Sequence, residues 1–372
     1  MRLTYQQMNG LKKQFGVNRI WSYSRLSTFV DQPFVYRMTY LDPARVRTNN
    51  IYSYFGTICH DIIQDAVEGK IKREDMIKEF DNKVMQWRLD PNAMKFMNEK
   101  VESGYLDNLR HYYSHTDLIP YEVENEKPVC ILFNRPDSDK PIVFVGYIDT
   151  LYTDGNKWYI MDYKTSSKGD YTGKRLKAHS KQLQIYGIGI SQIKGIPLED
   201  IVLRFDMMKY YKVSYLQKNG KWKDSIQERS SWVSTQEKKI RTLLLEHDYD
   251  IFDIDQMVGQ ANVENNLSSL PDFIQERFKV SNCYIDTELN EEVKKEVEEY
   301  VVESVLECER KESGDIEEEF PEPPIDDSNS FYFHNLAPQI IPYLKNYTSS
   351  TDYKKHKTKE EYSEEMLESL FK

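Results

Sequence analysis

GYIDTLYTDGNKWYIMDYKTSSKGDYTGKRLKAHSKQLQIY, residues 146–186, sets an acid, an acid-X-lysine and a Gln/Tyr helix face within about forty residues. Ile142 to Tyr152 reads as a strand, Lys157 to Thr165 as a second, and Asp154-Gly155-Asn156 as the hairpin turn between them. Strand side chains alternate, so Asp162 and Lys164 share one face with Ile160, while Met161 and Tyr163 take the other. Burying either charge alone is costly. Each is therefore expected to pair with the other, with Asp149, or with a metal ion. A hard divalent cation between two carboxylates, with a lysine beside it, is the functional reading; a surface hairpin with an ordinary ion pair is the bland one.

The flanks favour the first. Ser180 to Gly195 reads as a helix that places Gln182 and Tyr186 on one face, after a basic loop holding Lys168, Lys174, Arg175, Lys177 and Lys181. Upstream, Tyr54 to Val67 has apolar residues at helical spacing with Gly69 as its C-cap, and His60 turns toward a cleft. The segments GYID, DYKT thirteen residues after Asp149, and QLQIY resemble the core of the PD-(D/E)XK nucleases, in the RecB-type branch that includes phage exonucleases and CRISPR adaptation nucleases. YSRLSTF (23–29) with PFVY (33–36), and GTICH (56–60), resemble that branch's N-terminal segment and its histidine helix. The resemblance covers residues 20 to 215.

It implies an α/β restriction-endonuclease-like fold, a mixed central sheet flanked by helices, with a helical insertion and an acidic C-terminal extension. It implies Asp149, Asp162, the Tyr163 carbonyl and His60 as ligands for one or two magnesium or manganese ions, Lys164 as the catalytic lysine, and Gln182 and Tyr186 lining the cleft. Relatives with an iron–sulfur cluster carry a cysteine where Gln32 stands, and only Cys283 sits near the others, so no cluster is expected.

Composition bounds the rest. The net charge is −11, but residues 286–372 hold 10 Lys/Arg and 24 Asp/Glu against 40 and 37 in residues 1–285. The acidity thus belongs to the tail, and the near-neutral body can present a basic groove to DNA. Arg25 and the basic loop are the expected backbone contacts. No C-x-x-C pair, eighteen-residue apolar run, N-terminal signal or G-x-x-x-x-G-K-[ST] motif occurs. A soluble cytoplasmic protein of a bacterial or phage-infected cell is expected, with any motor a separate chain.

The chain divides into an N-terminal helical segment (1–53), the histidine helix with a helical insertion (54–120), the nuclease core (121–250), a helical segment (251–313), an acidic linker (314–330) and a tail (331–372). In the tail Met366, Leu367, Leu370 and Phe371 are candidates for docking a replication or recombination partner. Tyr121 to Phe133 is expected to be the first strand, with Glu122, Glu124 and Glu126 on one face and Glu124 the preferred extra ligand. The expected activity is metal-dependent hydrolysis of DNA, exonucleolytic, in replication, recombination or repair. A non-catalytic nucleic-acid-binding scaffold and an RNA nuclease are the alternatives.

Overall fold

The computed structural model describes residues 2–42, 50–323 and 332–333. The docking residues Met366, Leu367, Leu370 and Phe371 and linker residues 324–330 lie outside the described residues, whereas Ile316–Glu319 of the expected linker is a short helix. The chain forms two compact units, residues 1–23 with 51–302 and residues 24–50 with 303–372.

The first unit is built on six strands: β1 (Val123–Arg135), β2 (Ser138–Thr153), β3 (Trp158–Lys164), β4 (Ile201–Leu216), β5 (Trp222–Glu228) and β6 (Phe278–Thr287). They run β1-β2-β3-β4-β5, with β6 also on β4; β3 and β4 are parallel and every other pairing is antiparallel. In chain order the α-helices are α1 (Tyr5–Phe15), α2 (Tyr23–Asp31), α3 (Pro33–Tyr36), α4 (Ile51–Val67), α5 (Met76–Leu89), α6 (Glu99–His115), α7 (Gly173–Lys194), α8 (Trp232–Glu246), α9 (Ile251–Glu264), α10 (Asp272–Gln275), α11 (Glu291–Glu312) and α12 (Ile316–Glu319). This is the mixed, helix-flanked sheet expected of a restriction-endonuclease-like core.

A parallel pair needs a crossover, and α7 supplies it between β3 and β4. It begins seven residues before the first residue expected from the sequence, so the basic loop is mostly helix. The run KRLKAHSK has no apolar period to betray this. Tertiary contacts hold the early turns instead: the Tyr23 hydroxyl donates to the Ala178 carbonyl (3.2 Å), and His179 stacks on Tyr171 at 5.0 Å.

Small residues let α7 lie close on the sheet. A Cβ on Gly189 would sit 2.4 Å from Ile131, one on Gly187 2.6 Å from Leu289, and one on Gly146 of β2 2.1 Å from the Tyr186 ring. We expect Gly146→Ala to displace Tyr186, costing about 1–3 kcal/mol. A melting temperature unchanged from wild type would contradict this.

The opposite sheet face is covered by α4, α5 and α6, whose Phe55, Phe80, Leu109 and Tyr113 form one apolar cluster with Met161, Tyr163 and Met208. The segment expected as a helical insertion therefore shares its core with the strands that carry the acids. A further cluster joins Tyr211 and Val213 to Trp232, Ile240, Val258 and Ile274 beneath β6. The sequence reading found no strand at β6, because FKVSNCYIDT alternates poorly and only pairing with β4 orders it.

In the second unit Tyr36 is the hub. Its ring packs against Phe29 and Phe320, and its hydroxyl donates to Glu312 at 2.6 Å while accepting from Arg25 at 2.9 Å. No helix among the described residues is long and apolar enough to cross a membrane.

Candidate active site

The β2–β3 turn fixes everything that follows. Asp154 Oδ1 accepts from the amides of Asn156 and Lys157, both at 2.8 Å, and Gly155 takes φ +92°. The register that follows pairs Thr150 with Met161, and one rung further sets Asp149 opposite Asp162. On its other side Asp149 faces Glu126, between the rungs Asn125–Thr150 and Lys127–Ile148. Three carboxylates on adjacent strands thus stand at one level of the sheet.

Their surroundings make this arrangement costly. Burial and the nearby Asp162 push the Asp149 carboxyl up to about 7, against the opposing pull of His60 and Lys164. Asp162 is buried and touches the Lys164 ammonium through Oδ2. Burial disfavours that ammonium, yet the Asp162 and Asp149 carboxylates hold its pKa above the usual lysine value. The two acids thus favour the charged form of Lys164.

His60 completes the cluster from α4. Its Nε2 donates to the Tyr163 carbonyl at 3.0 Å, which leaves Nδ1, 3.5 Å from Asp149 Oδ2, as the free ring nitrogen. In the neutral ring that nitrogen is an acceptor facing an acceptor, an arrangement only a proton or a metal ion makes favourable. Donor atoms of His60, Glu126 and Asp149 lie within 4.8 Å of one another. Asp162, expected as a ligand, is held by Lys164 and is not part of that close set; the three residues that are part of it fit a hard divalent cation by both charge and donor type.

The extra glutamate is Glu126, not Glu124. Glu124 is held by Lys127 and by Lys194 at 3.7 Å. Glu126 instead adopts φ +45°, a strained conformation for a side chain of its size, beside Asp149. Alternation could not separate two glutamates on one face; pairing with β2 does.

Gln182 and Tyr186 come together as the helix spacing required, with Gln182 Nε2 donating to the Tyr186 hydroxyl at 3.3 Å. Burial pushes that hydroxyl up to about 12, and the Asp162 and Asp149 charges act in the same direction. Of the basic residues, Lys168 donates to the Ile226 carbonyl (2.6 Å), Arg175 pairs with Asp170 and Lys177 with Glu296, and Lys181 lies 3.9 Å from the Tyr300 ring centre. Lys174 is exposed. Arg25 belongs to the second unit, where it is engaged with Tyr36 and Glu312.

A buried network escaped the sequence reading. Asp206, in register with Tyr163, accepts from the Tyr112 hydroxyl at 2.8 Å, and burial pushes its carboxyl up to about 6 against the pull of Arg229. Arg229 is fully buried, donates to Asn282 at 2.8 Å, and lies over the Tyr112 and Tyr211 rings.

A family model, that of the PD-(D/E)XK nuclease superfamily, matches residues 20–269. The chain belongs to the PD-(D/E)XK nuclease superfamily. Membership implies a metal-dependent nuclease, and the His60, Glu126 and Asp149 donor group could bind a metal ion. Among solved structures, the chain is similar to one titled "Crystal structure of SSO0001", at 14% identity over 60% of this chain and 80% of that one, with a TM-score of 0.18. A likeness that weak carries no argument about this nuclease. No curated protein matches.

Proposed function

We propose that the protein is a magnesium- or manganese-dependent deoxyribonuclease of the RecB-type exonuclease branch, free of an iron–sulfur cluster. The observation that carries the proposal is the level set of Glu126, Asp149 and Asp162 with the Lys164 ammonium against Asp162. The carboxylates of Asp149, Asp162 and Glu126, His60 Nδ1 and the Tyr163 carbonyl would hold one or two ions. When bound, such an ion supplies Lewis-acid polarisation of the phosphodiester.

The chain's own groups do the remainder. Lys164 orients the attacking water and donates to the phosphoryl oxygen on which negative charge builds, a preorganised charge in a low-dielectric cleft. The bond from Nε2 to the Tyr163 carbonyl fixes the His60 ring and its tautomer. The Gln182–Tyr186 pair walls the cleft beside the acids and orders the strand or the lysine. Arg25, Lys168, Lys174, Arg175, Lys177 and Lys181 are proposed as backbone contacts, those in ion pairs exchanging a carboxylate for a phosphate. The cluster-free reading rests on Gln32 preceding Pro33 and on Cys283 standing alone in its region. We place the activity in cytoplasmic DNA replication, recombination or repair.

The test is incubation of the protein with linear and circular, single- and double-stranded DNA and with RNA, in magnesium, in manganese and in EDTA. Linear DNA cut only with a divalent ion is the expected result. Cleavage of nothing would leave a nucleic-acid-binding scaffold in its place, and cleavage of RNA alone would move the substrate.

A further inference from the structure

β6 carries the two faces of the sheet unbroken past the irregular stretch of β4. On one face Asn282 accepts from Arg229 and its amide donates to the Tyr284 hydroxyl, and their β4 partners Tyr211 and Asp206 meet Arg229 and Tyr112 there. That face lies under α6. By alternation Lys279, Ser281 and Cys283 take the other face with Ile285. Ile285 is in register with Phe205, Phe205 with Asp162, and the Lys164 ammonium lies 5.8 Å from the centre of the Phe205 ring. Lys279 and Ser281 therefore stand on the side of the sheet that carries Asp162 and Lys164.

Side-chain contacts agree. Asp224 of β5, in register with Ser214, accepts from its hydroxyl at 2.7 Å and pairs with Lys212 at 2.8 Å. Ser214 is also in register with Lys279, whose ammonium reaches across β4 to lie 4.2 Å from the centre of the Trp222 ring. Lys168 donates to the carbonyl of Ile226, the rung partner of Lys212. Burial pushes the Cys283 thiol up to about 11, and Lys168 and Lys212 both pull against it.

This end of the face is open: Lys212, Trp222, Asp224, Lys279 and Ser281 are all exposed. Asp224 cancels Lys212. Among the described residues no carboxylate lies at ion-pair distance from Lys279, and the indole balances its charge only in part. From the level of Asp162, Ile285 to Lys279 is six residues of strand, about 20 Å, which a stacked single strand covers in about six nucleotides. Such a strand offers both complements, a phosphate for the ammonium and a base for the indole.

We propose that the open face of β5, β4 and β6 is a track for a single nucleic-acid strand leading away from the acids, with Lys279 taking a backbone phosphate and Trp222 a base. The ammonium that rests on the indole in the free protein moves to the phosphate and frees the ring for stacking. The proposal rests on the nuclease reading for the class of substrate, whereas strand register sets the face.

The deciding experiment is equilibrium binding of a labelled single-stranded DNA oligonucleotide, long enough to span the face, to the full chain in EDTA over a range of salt. Cleavage in magnesium and mass in solution are measured separately. Lys279→Met is expected to weaken binding about tenfold at moderate salt and to lower the slope of log K against log salt by about 0.7, and Lys279→Arg to restore most of both. Trp222→Ala is expected to weaken binding about tenfold with the slope kept, and Trp222→Phe to lose less while removing the indole quenching that the oligonucleotide causes. Both side chains are exposed, so melting temperatures should match wild type. Wild-type affinity and slope in Lys279→Met and Trp222→Ala would overturn the track even where wild type cleaves DNA. A wild type that binds without cleaving would sink the nuclease reading while the variants still decide the track. A dimer that either variant splits, with DNA binding untouched, would give the face to a second copy of the chain instead. No binding by wild type would remove the track.

Discussion

Lys164→Met and Asp162→Asn are each expected to lower metal-dependent cleavage by about a thousandfold or more, yet to differ in their effect on stability. Loss of one preorganised charge in a closed site costs about 100- to 1,000-fold, and Asp162 is in addition a proposed ligand. The two act as a unit, so the double variant should be no worse than either single one. Stability separates them. Without Lys164, the Asp162, Asp149 and Glu126 carboxylates face one another with no ammonium among them, and the melting temperature in EDTA should fall by several degrees. Without the Asp162 charge, the repulsion that helps raise Asp149 is gone, and the protein should melt within a few degrees of wild type or above it. Retention of cleavage within tenfold by either variant would defeat the proposed chemistry.

Arg229→Met should produce the largest loss of stability. Arg229 and Asp206 are both almost wholly enclosed, and removing one charge of a buried set costs about 3–5 kcal/mol because the other is left uncompensated. The effect should depend on pH. The folded Asp206 carboxyl, raised from 3.8 to about 6, is neutral in acid, so its stabilising share is present below about pH 4 and is lost as pH rises through 6. With Arg229 gone the ionised form becomes dearer still. The gap between wild type and Arg229→Met should therefore be small at pH 5 and wide at pH 8, as read from paired urea titrations. A gap independent of pH would show that Asp206 does not sense Arg229. Since Asp206 stands in register with Tyr163, the network also braces the strand whose carbonyl His60 engages.

The sequence analysis reached the hairpin, the face shared by Asp162 and Lys164, the histidine helix and the Gln182–Tyr186 pair because each is encoded locally. A two-residue strand period, a four-residue helix spacing and an Asp-Gly turn need no knowledge of distant chain. The start of α7 was misplaced because its polar first turns are stabilised by Tyr23 and Tyr171, which lie outside the helix and carry no helical signal. β6 was missed because its order comes from β4, more than sixty residues earlier in the chain.

The sequence by itself determined that two acids and a lysine would meet at a hairpin, since short-range periodicity dictates which side each residue takes, while the resemblance to the nuclease family implied that His60 joins them. Only the tertiary structure decided that Glu126 rather than Glu124 joins the acids and that Asp206 and Arg229 support the strand behind them. Those outcomes depend on register between strands and on desolvation within the packed core, and neither exists until the chain has closed on itself.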